Sequence, residues 1–319
     1  MRASVAGALI TMQDVTRRFG RVTAVNGVTL EVEPGLILGL IGPSGSGKTT
    51  VVRMLTGTLR PSGGSLRVLG ETPGRFRPRT RERIGYMPQG FVLYPDLTAR
   101  ENVSFVAALF GMYLPRRIKR VGGILEQLGL THAKDRLARD LSGGEKRRLS
   151  LAAALVHDPD VLFIDEPTAG VDPMLRADIW KGFRALAAQG KTLLVTTQHL
   201  DEAENCDAVA VLSAGELLAL AEPDVLRRHV YGGEILDVRT ARPLDPRIVA
   251  DVPGVLRVRT PSERRLIVVA EDAAAATPRI VEAVQQRAGT VASIERYSPS
   301  LDEVFTALVE DHAARKEAA

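Results

Sequence analysis

The apolar and polar positions divide the chain into two stretches of different rhythm. Up to about Arg228, short runs that are apolar on both faces alternate with longer mixed segments. Residues 36–41, 161–164, 193–197 and 208–212 carry no polar stripe, as expected of strands buried on both sides of a sheet. Residues 9–15 and 22–32 are more mixed and are bounded by turns at Phe19-Gly20 and Glu33-Pro34-Gly35, which predicts N-terminal strands before the buried ones. Residues 61–74 read as turns around a further strand. Helices are predicted over 49–59, 98–129 and 146–157. Buried strands alternating with helices predict a mainly parallel sheet in an α/β unit.

The rhythm changes at Tyr231-Gly232-Gly233. Strands are predicted at 235–239, 255–259, 266–270 and 291–296, with a turn at Pro261-Ser262-Glu263. A short helix is predicted at 246–252. A longer one is predicted at 278–287, with Thr277 as N-cap and Pro278 in the first helical position. The order β-α-β-β-α-β is that of a small ferredoxin-like α+β module. Ser300-Leu301-Asp302-Glu303 has the form of a capping box, and Leu301, Val304, Phe305 and Leu308 then share one helix face. Residues 312–319 read as a frayed tail and 1–10 as an irregular start rather than a leader. The expected division is 1–230 and 231–319, with a helical subdomain at about 90–157.

Composition narrows the class. Hydrophobic residues make up 45% of the 319 and charged residues 25%, which excludes fibrous and wholly disordered proteins. The net charge of +4 permits an anionic partner without demanding one. Cys206 is the one cysteine, so an internal disulfide and a thiolate metal cage are excluded and a reducing compartment fits. No apolar run approaches the roughly 18 residues of a membrane span. The longest apolar-leaning stretch, 103–114, has the length of a core or interface helix.

The chemistry begins at Gly42-Pro43-Ser44-Gly45-Ser46-Gly47-Lys48-Thr49. It matches G-x-x-x-x-G-K-[ST] at every fixed position, after a buried strand and before a helix. Glycines let backbone N–H groups curl around phosphates, and the helix start favours the anion. Lys48 is placed to reach the β- and γ-phosphates, and the Thr49 hydroxyl to ligate Mg²⁺. The apolar run 161–164 ends in Asp165-Glu166. Two carboxylates at the end of a buried strand need partners or work. Asp165 fits a Mg²⁺ ligand and Glu166 the group that polarises an attacking water. Leu141-Ser142-Gly143-Gly144-Glu145 offers a second anion site, a hydroxyl and two glycine N–H groups at a helix start.

With these three motifs in order, residues 9–228 resemble the nucleotide-binding subunit of an ATP-binding-cassette (ABC) transporter. The resemblance implies a P-loop NTPase fold, ATP and Mg²⁺ as substrate and cofactor, and ATPase activity. Glu145 departs from the family, where Gln is commoner. Thr50 joins the phosphate loop. Phe19 matches the aromatic that stacks on adenine, although it also reads as a strand-end core residue. Gln89 matches the glutamine that touches Mg²⁺ and the attacking water. Asp172, in Ala169-Gly170-Val171-Asp172, matches the loop that crosses the dimer interface. His199 matches the switch histidine that contacts the γ-phosphate. Ser142, Gly143 and Gly144 match the signature that meets ATP held by a second subunit.

The closing segment Pro299-Ser300-Leu301-Asp302-Glu303-Val304-Phe305 resembles the tail of bacterial drug and antibiotic exporter ATPases. The expected function is therefore to power export through a separate integral-membrane permease, as a homodimer peripheral to the cytoplasmic face of the cell membrane, with no nucleic acid partner. A soluble ABC ATPase and an importer ATPase are the alternatives. The C-terminal module reads either as a stabilising appendix or as a regulatory brace across a dimer. Arg75, Arg77, Arg79, Arg81 and Arg83 read as a solvated face or as a contact for lipid phosphates.

Overall fold

The computed structural model describes residues 7–287 and 289–317. Of the irregular start expected at 1–10, residues 1–6 lie outside them, and the first strand begins at Ile10. The chain divides into two compact units, Met1–Leu220 and Ala221–Ala319.

The first unit runs β1 (Ile10–Phe19), β2 (Val22–Val32), β3 (Ile37–Ile41), α1 (Lys48–Leu55), β4 (Gly63–Val68), α2 (Pro78–Arg81), β5 (Ile84–Met87), α3 (Ala99–Leu109), α4 (Leu114–Gln127), α5 (Gly143–Leu155), β6 (Val161–Asp165), α6 (Pro173–Ala188), β7 (Thr192–Thr197), β8 (Ala208–Ser213) and β9 (Glu216–Ala221). Six strands form one sheet in the order β5-β6-β7-β3-β8-β9, and its β5, β6, β7, β3 and β8 run parallel. Every residue of β3, β6 and β7 is buried, which is why their sequences lack a polar face. β2, β1 and β4 form a separate antiparallel sheet. Side chains from both sheets and α1 share one core, including Met12, Val25, Leu40, Met54 and Phe163.

Local chemistry sets the helix ends. Thr98 opens α3 through a reciprocal capping box with Glu101, and Ser142 opens α5 through one with Glu145. The α5 helix therefore starts at Gly143, three residues earlier than its sequence suggests. Asp172 caps α6 by accepting the Leu175 N–H, and Pro173 follows in the first turn. The α1 helix stops at Leu55 rather than Leu59. Gly57 follows with φ +78°, against the main chain of Gly74, which leaves no room for a Cβ. The β9 strand has no clean apolar alternation, and the tight turn Ala214-Gly215, both at positive φ, folds it beside β8. Cys206 is buried against Gly39, and burial pushes its thiol up to about 12, so it is an inert packing residue.

The second unit contains α7 (Pro223–Tyr231), β10 (Glu234–Thr240), α8 (Arg247–Ala250), β11 (Val255–Ser262), β12 (Arg265–Ala270), α9 (Ala273–Gln286), β13 (Val291–Arg296) and α10 (Leu301–Glu317). Its strands are antiparallel in the order β11-β12-β10-β13, as a ferredoxin-like module requires. Leu236, Val238, Leu266 and Val268 pack with Ile280 and Val284. The sequence put a boundary at Tyr231-Gly232-Gly233. In the structure α7 belongs to the second unit, where it packs on α10 and Arg227 Nε donates to the Pro299 carbonyl at 2.9 Å.

Three local expectations in this unit are corrected. The α9 helix begins at Ala273, not Pro278, because the Asp272 carboxylate caps the N–H groups of Ala274 and Ala275. The turn between β11 and β12 lies at Glu263-Arg264, so Pro261 and Ser262 remain in the edge strand. Residues 312–317 continue α10 rather than fraying. The Ser300–Glu303 capping box is formed, and Leu301 and Val304 are buried.

Candidate active site

The parallel strands bring the chemistry to their carboxyl-terminal ends, the usual place for a ligand in such sheets. β3 runs into the glycine loop, β6 ends at Asp165-Glu166, and β7 ends at Thr196-Thr197. In the loop, a Cβ on Gly42 would stand 2.0 Å from the Leu212 carbonyl oxygen. One on Gly47, at φ +106°, would stand 2.5 Å from that of Ala24. Only glycine fits either place, and the loop is thereby closed against the sheet and open above it. Lys48 is buried, and its Nζ donates to the carbonyls of Gly42 (2.8 Å) and Pro43 (3.0 Å). Burial lowers its pKa, while Glu166 and Asp165 raise it.

Lys48 Nζ also stands 3.8 Å from Glu166 Oε1. Gln89 Nε2 donates to Glu166 Oε2 at 2.8 Å. Glu166 itself adopts φ +47°, a left-handed conformation that costs a non-glycine residue about 1–3 kcal/mol. Its N–H donates to the Thr196 carbonyl (3.1 Å) and to Thr196 Oγ1 (3.0 Å), which fixes it there. Asp165 Oδ1 accepts from Thr49 Oγ1 at 3.3 Å and from Thr196 Oγ1 at 2.5 Å. Thr196 thus holds the Asp165 carboxylate and the Glu166 main chain. Sequence reasoning missed it, and the only signal was a polar residue inside an apolar strand run.

The other predicted residues are placed as follows. Ser44 and Gly45 are exposed on the loop. Ser46 is buried, and its Oγ has no hydrogen-bond partner among the described residues. Thr50 follows Thr49 in the first turn of α1. Phe19 ends β1, 46% exposed, with the Arg17 guanidinium 4.5 Å from its ring centroid. It is a surface aromatic, not a core one. His199 follows β7, with its N–H on Thr197 Oγ1 at 3.0 Å. Among the described residues its ring makes no hydrogen bond to the glycine loop or the carboxylates.

Ser142, Gly143 and Gly144 open α5, and none of them bonds to residues 42–49 among the described residues. Gly144 lies against Leu175 of α6, where a Cβ would come within 2.4 Å of Leu175 Cδ2. Glu145, the departure from the family, is buried. Its carboxylate accepts the Ser142 N–H (2.7 Å) and bonds His132 Nε2 (3.0 Å) and Arg136 Nη1 (3.1 Å). The charge is therefore accommodated by a main-chain N–H, a histidine and the Arg136 guanidinium. The five arginines at 75–83 are exposed around buried Phe76 and Thr80, and Arg77 and Arg83 pair with Glu71 and Asp160.

A glycine loop with a buried lysine, facing two supported carboxylates at the end of a parallel sheet, defines a phosphate-loop ATPase. The ABC transporter family model matches residues 25–169, and that of the C-terminal domain of DrrA1-3-like ATP-binding proteins matches residues 223–309. The daunorubicin resistance ATP-binding protein DrrA3 of Streptomyces coeruleorubidus is 37% identical over 99% of this chain and 100% of its own length. A Nod factor export ATP-binding protein I of Ralstonia nicotianae is 41% identical over 72% of each chain. Among solved structures, an ATP-binding subunit of an ABC transporter covers 69% of this chain and 92% of its own, at 26% identity and TM-score 0.64. The cbiO1 subunit from Clostridium perfringens covers 71% and 91%, at 28% identity and TM-score 0.63. The chain belongs to the ABC transporter family, as an ATP-binding, ATP-hydrolysing subunit.

Proposed function

We propose that this subunit powers export of a drug-, antibiotic-, polyketide- or lipid-like cargo by closing on ATP as a homodimer beneath a separate permease. The observation that carries the proposal is the convergence of Lys48 and Gln89 on Glu166, beside Asp165 and Thr49. In this reading Lys48 holds the β- and γ-phosphates, and its present carbonyl contacts keep the charge at the loop. The buried Ser46 Oγ, without a hydrogen-bond partner among the described residues, and the glycine cradle suit a phosphate group. Thr49 and Asp165, with Gln89 beside them, would hold Mg²⁺, whose oxygen preference their donors meet. When bound, the ion offsets charge on the phosphates. Glu166 orients a water and accepts its proton, and Gln89 holds that carboxylate in place. His199 is the switch residue, and Phe19 offers an exposed ring for the adenine.

Ser142, Gly143 and Gly144 close the site of the other copy, since neither half-site is degenerate and, among the described residues, no bond joins them within one chain. Asp172 stands at the crossing loop between them. The permease has a candidate seat on the helical segment. Phe105, Leu109 and Leu114 are exposed there while Val103 and Ala107 are buried. Among the described residues no helix is long and apolar enough to cross a membrane. In this reading the subunit is peripheral, at the cytoplasmic face of the cell membrane.

Lys48→Ala and Glu166→Gln test the assignment. Lys48→Ala should weaken ATP binding itself. Glu166→Gln should retain binding and lose hydrolysis by about 10²–10⁴-fold. Equal loss of ATP binding in both variants would overturn the roles given to them.

A further inference from the structure

Arg147 has no part in the site as described so far. It lies on α5, and its Nη1 donates to the main-chain carbonyl of Gln89 at 2.5 Å. The side chain of the same Gln89 donates to Glu166 Oε2 at 2.8 Å. Two consecutive hydrogen bonds therefore run from α5 to Glu166 through a single residue. Gln89 has no regular structure to hold it, because it follows the end of β5 at Met87. Outside the strand ladder, the main chain of residues 89–93 makes no other hydrogen bond among the described residues. A guanidinium on a carbonyl is a charge-assisted bond, stronger than a neutral one, and it fixes the peptide from which the Gln89 side chain departs.

The other end of the link is rigid. Ser142 is locked to α5 by its reciprocal bonds with Glu145, and Gly144 is packed against Leu175. Arg147 lies one helical turn beyond Gly143 and moves with both. Any displacement of the Ser142–Gly144 helix start is thus carried to Gln89.

We propose that Arg147 is a positioning residue that couples this helix start to hydrolysis. It holds the Gln89 main chain, so that the Gln89 amide stays on Glu166, and a shift of α5 releases that carboxylate. The proposal rests on the reading of Glu166 as the hydrolytic carboxylate.

Steady-state hydrolysis and ATP binding by the full chain test it, with Arg147→Met removing the donor at similar length and Arg147→Lys restoring a cation. Arg147→Met should lower kcat by about 10–100-fold, the scale of a small misplacement. KM for ATP should stay within about twofold, and Arg147→Lys should recover part of the loss. Added to Gln89→Ala, Arg147→Met should cost nothing further, because both act through one contact. An unchanged kcat would overturn the proposal, as would an equal loss in KM or losses that multiply in the double variant. Glu166→Gln keeps the two readings apart. If it hydrolyses ATP at the parent rate, the site assignment fails. If it is inactive while Arg147→Met is fully active, only the coupling fails.

Discussion

Replacing Glu145 by Gln asks whether the start of α5 depends on charge. The buried Glu145 carboxylate takes the Ser142 N–H, His132 Nε2 and Arg136 Nη1 at 2.7, 3.0 and 3.1 Å. These partners, the Ser142 N–H foremost, lower its pKa from 4.5 to about 2. At about 1.4 kcal/mol per pKa unit, that depression corresponds to at most about 3.5 kcal/mol at neutral pH. His132 and Arg136 are 63% and 47% exposed, so solvent screens part of it and about 1–2 kcal/mol is expected. The carboxyl is more acidic folded than unfolded. Its contribution is therefore complete above 4.5 and is lost as the pH falls towards about 2. Glutamine keeps an acceptor for Ser142 but not the charge. In urea denaturation, Glu145→Gln should unfold at lower denaturant than the parent at neutral pH, and the gap should close through that acid window. A gap of equal size at neutral and acid pH would refute the electrostatic reasoning. No gap at neutral pH would show that the three contacts add nothing glutamine lacks.

Glu166→Gln with ATP and Mg²⁺ should double in mass by light scattering, since each copy supplies both half-sites. A strict monomer at high concentration would count against autonomous closure. A chain ending at Leu220 should keep nucleotide binding, measured by titration with a fluorescent ATP analogue, because every candidate site residue precedes that point. Loss of binding in a folded truncation would place the second unit in the site. Gln198→Ala compared with His199→Ala locates the switch. Gln198 directly follows β7 and is exposed, one residue beyond Thr197 and one before His199. Loss of hydrolysis in Gln198→Ala alone would move the role from His199 to its neighbour.

Much of this protein was legible in its sequence, because the features concerned are local. The strand at Ile37–Ile41, the glycine loop and the start of α1 lie within 20 residues, and their order alone specifies a phosphate cradle. The apolar run into Asp165-Glu166 and the capping pairs Ser142–Glu145 and Ser300–Glu303 are likewise set by neighbours in the chain. Where local signals competed, the sequence misled. Thr277-Pro278 looks like a helix start, but Asp272 caps better and the alanines that follow it extend the helix upstream.

What only the tertiary structure decided is who supports whom across long separations. Thr196 meets Asp165 because β6 and β7 are adjacent and in register. Gln89 meets Glu166, and Arg147 meets Gln89, because β5 lies beside β6 and α5 packs on β5. Residue type names the candidates for chemistry. Their partners are fixed by strand order and helix packing, which depend on the whole core and leave no short-range mark in the chain.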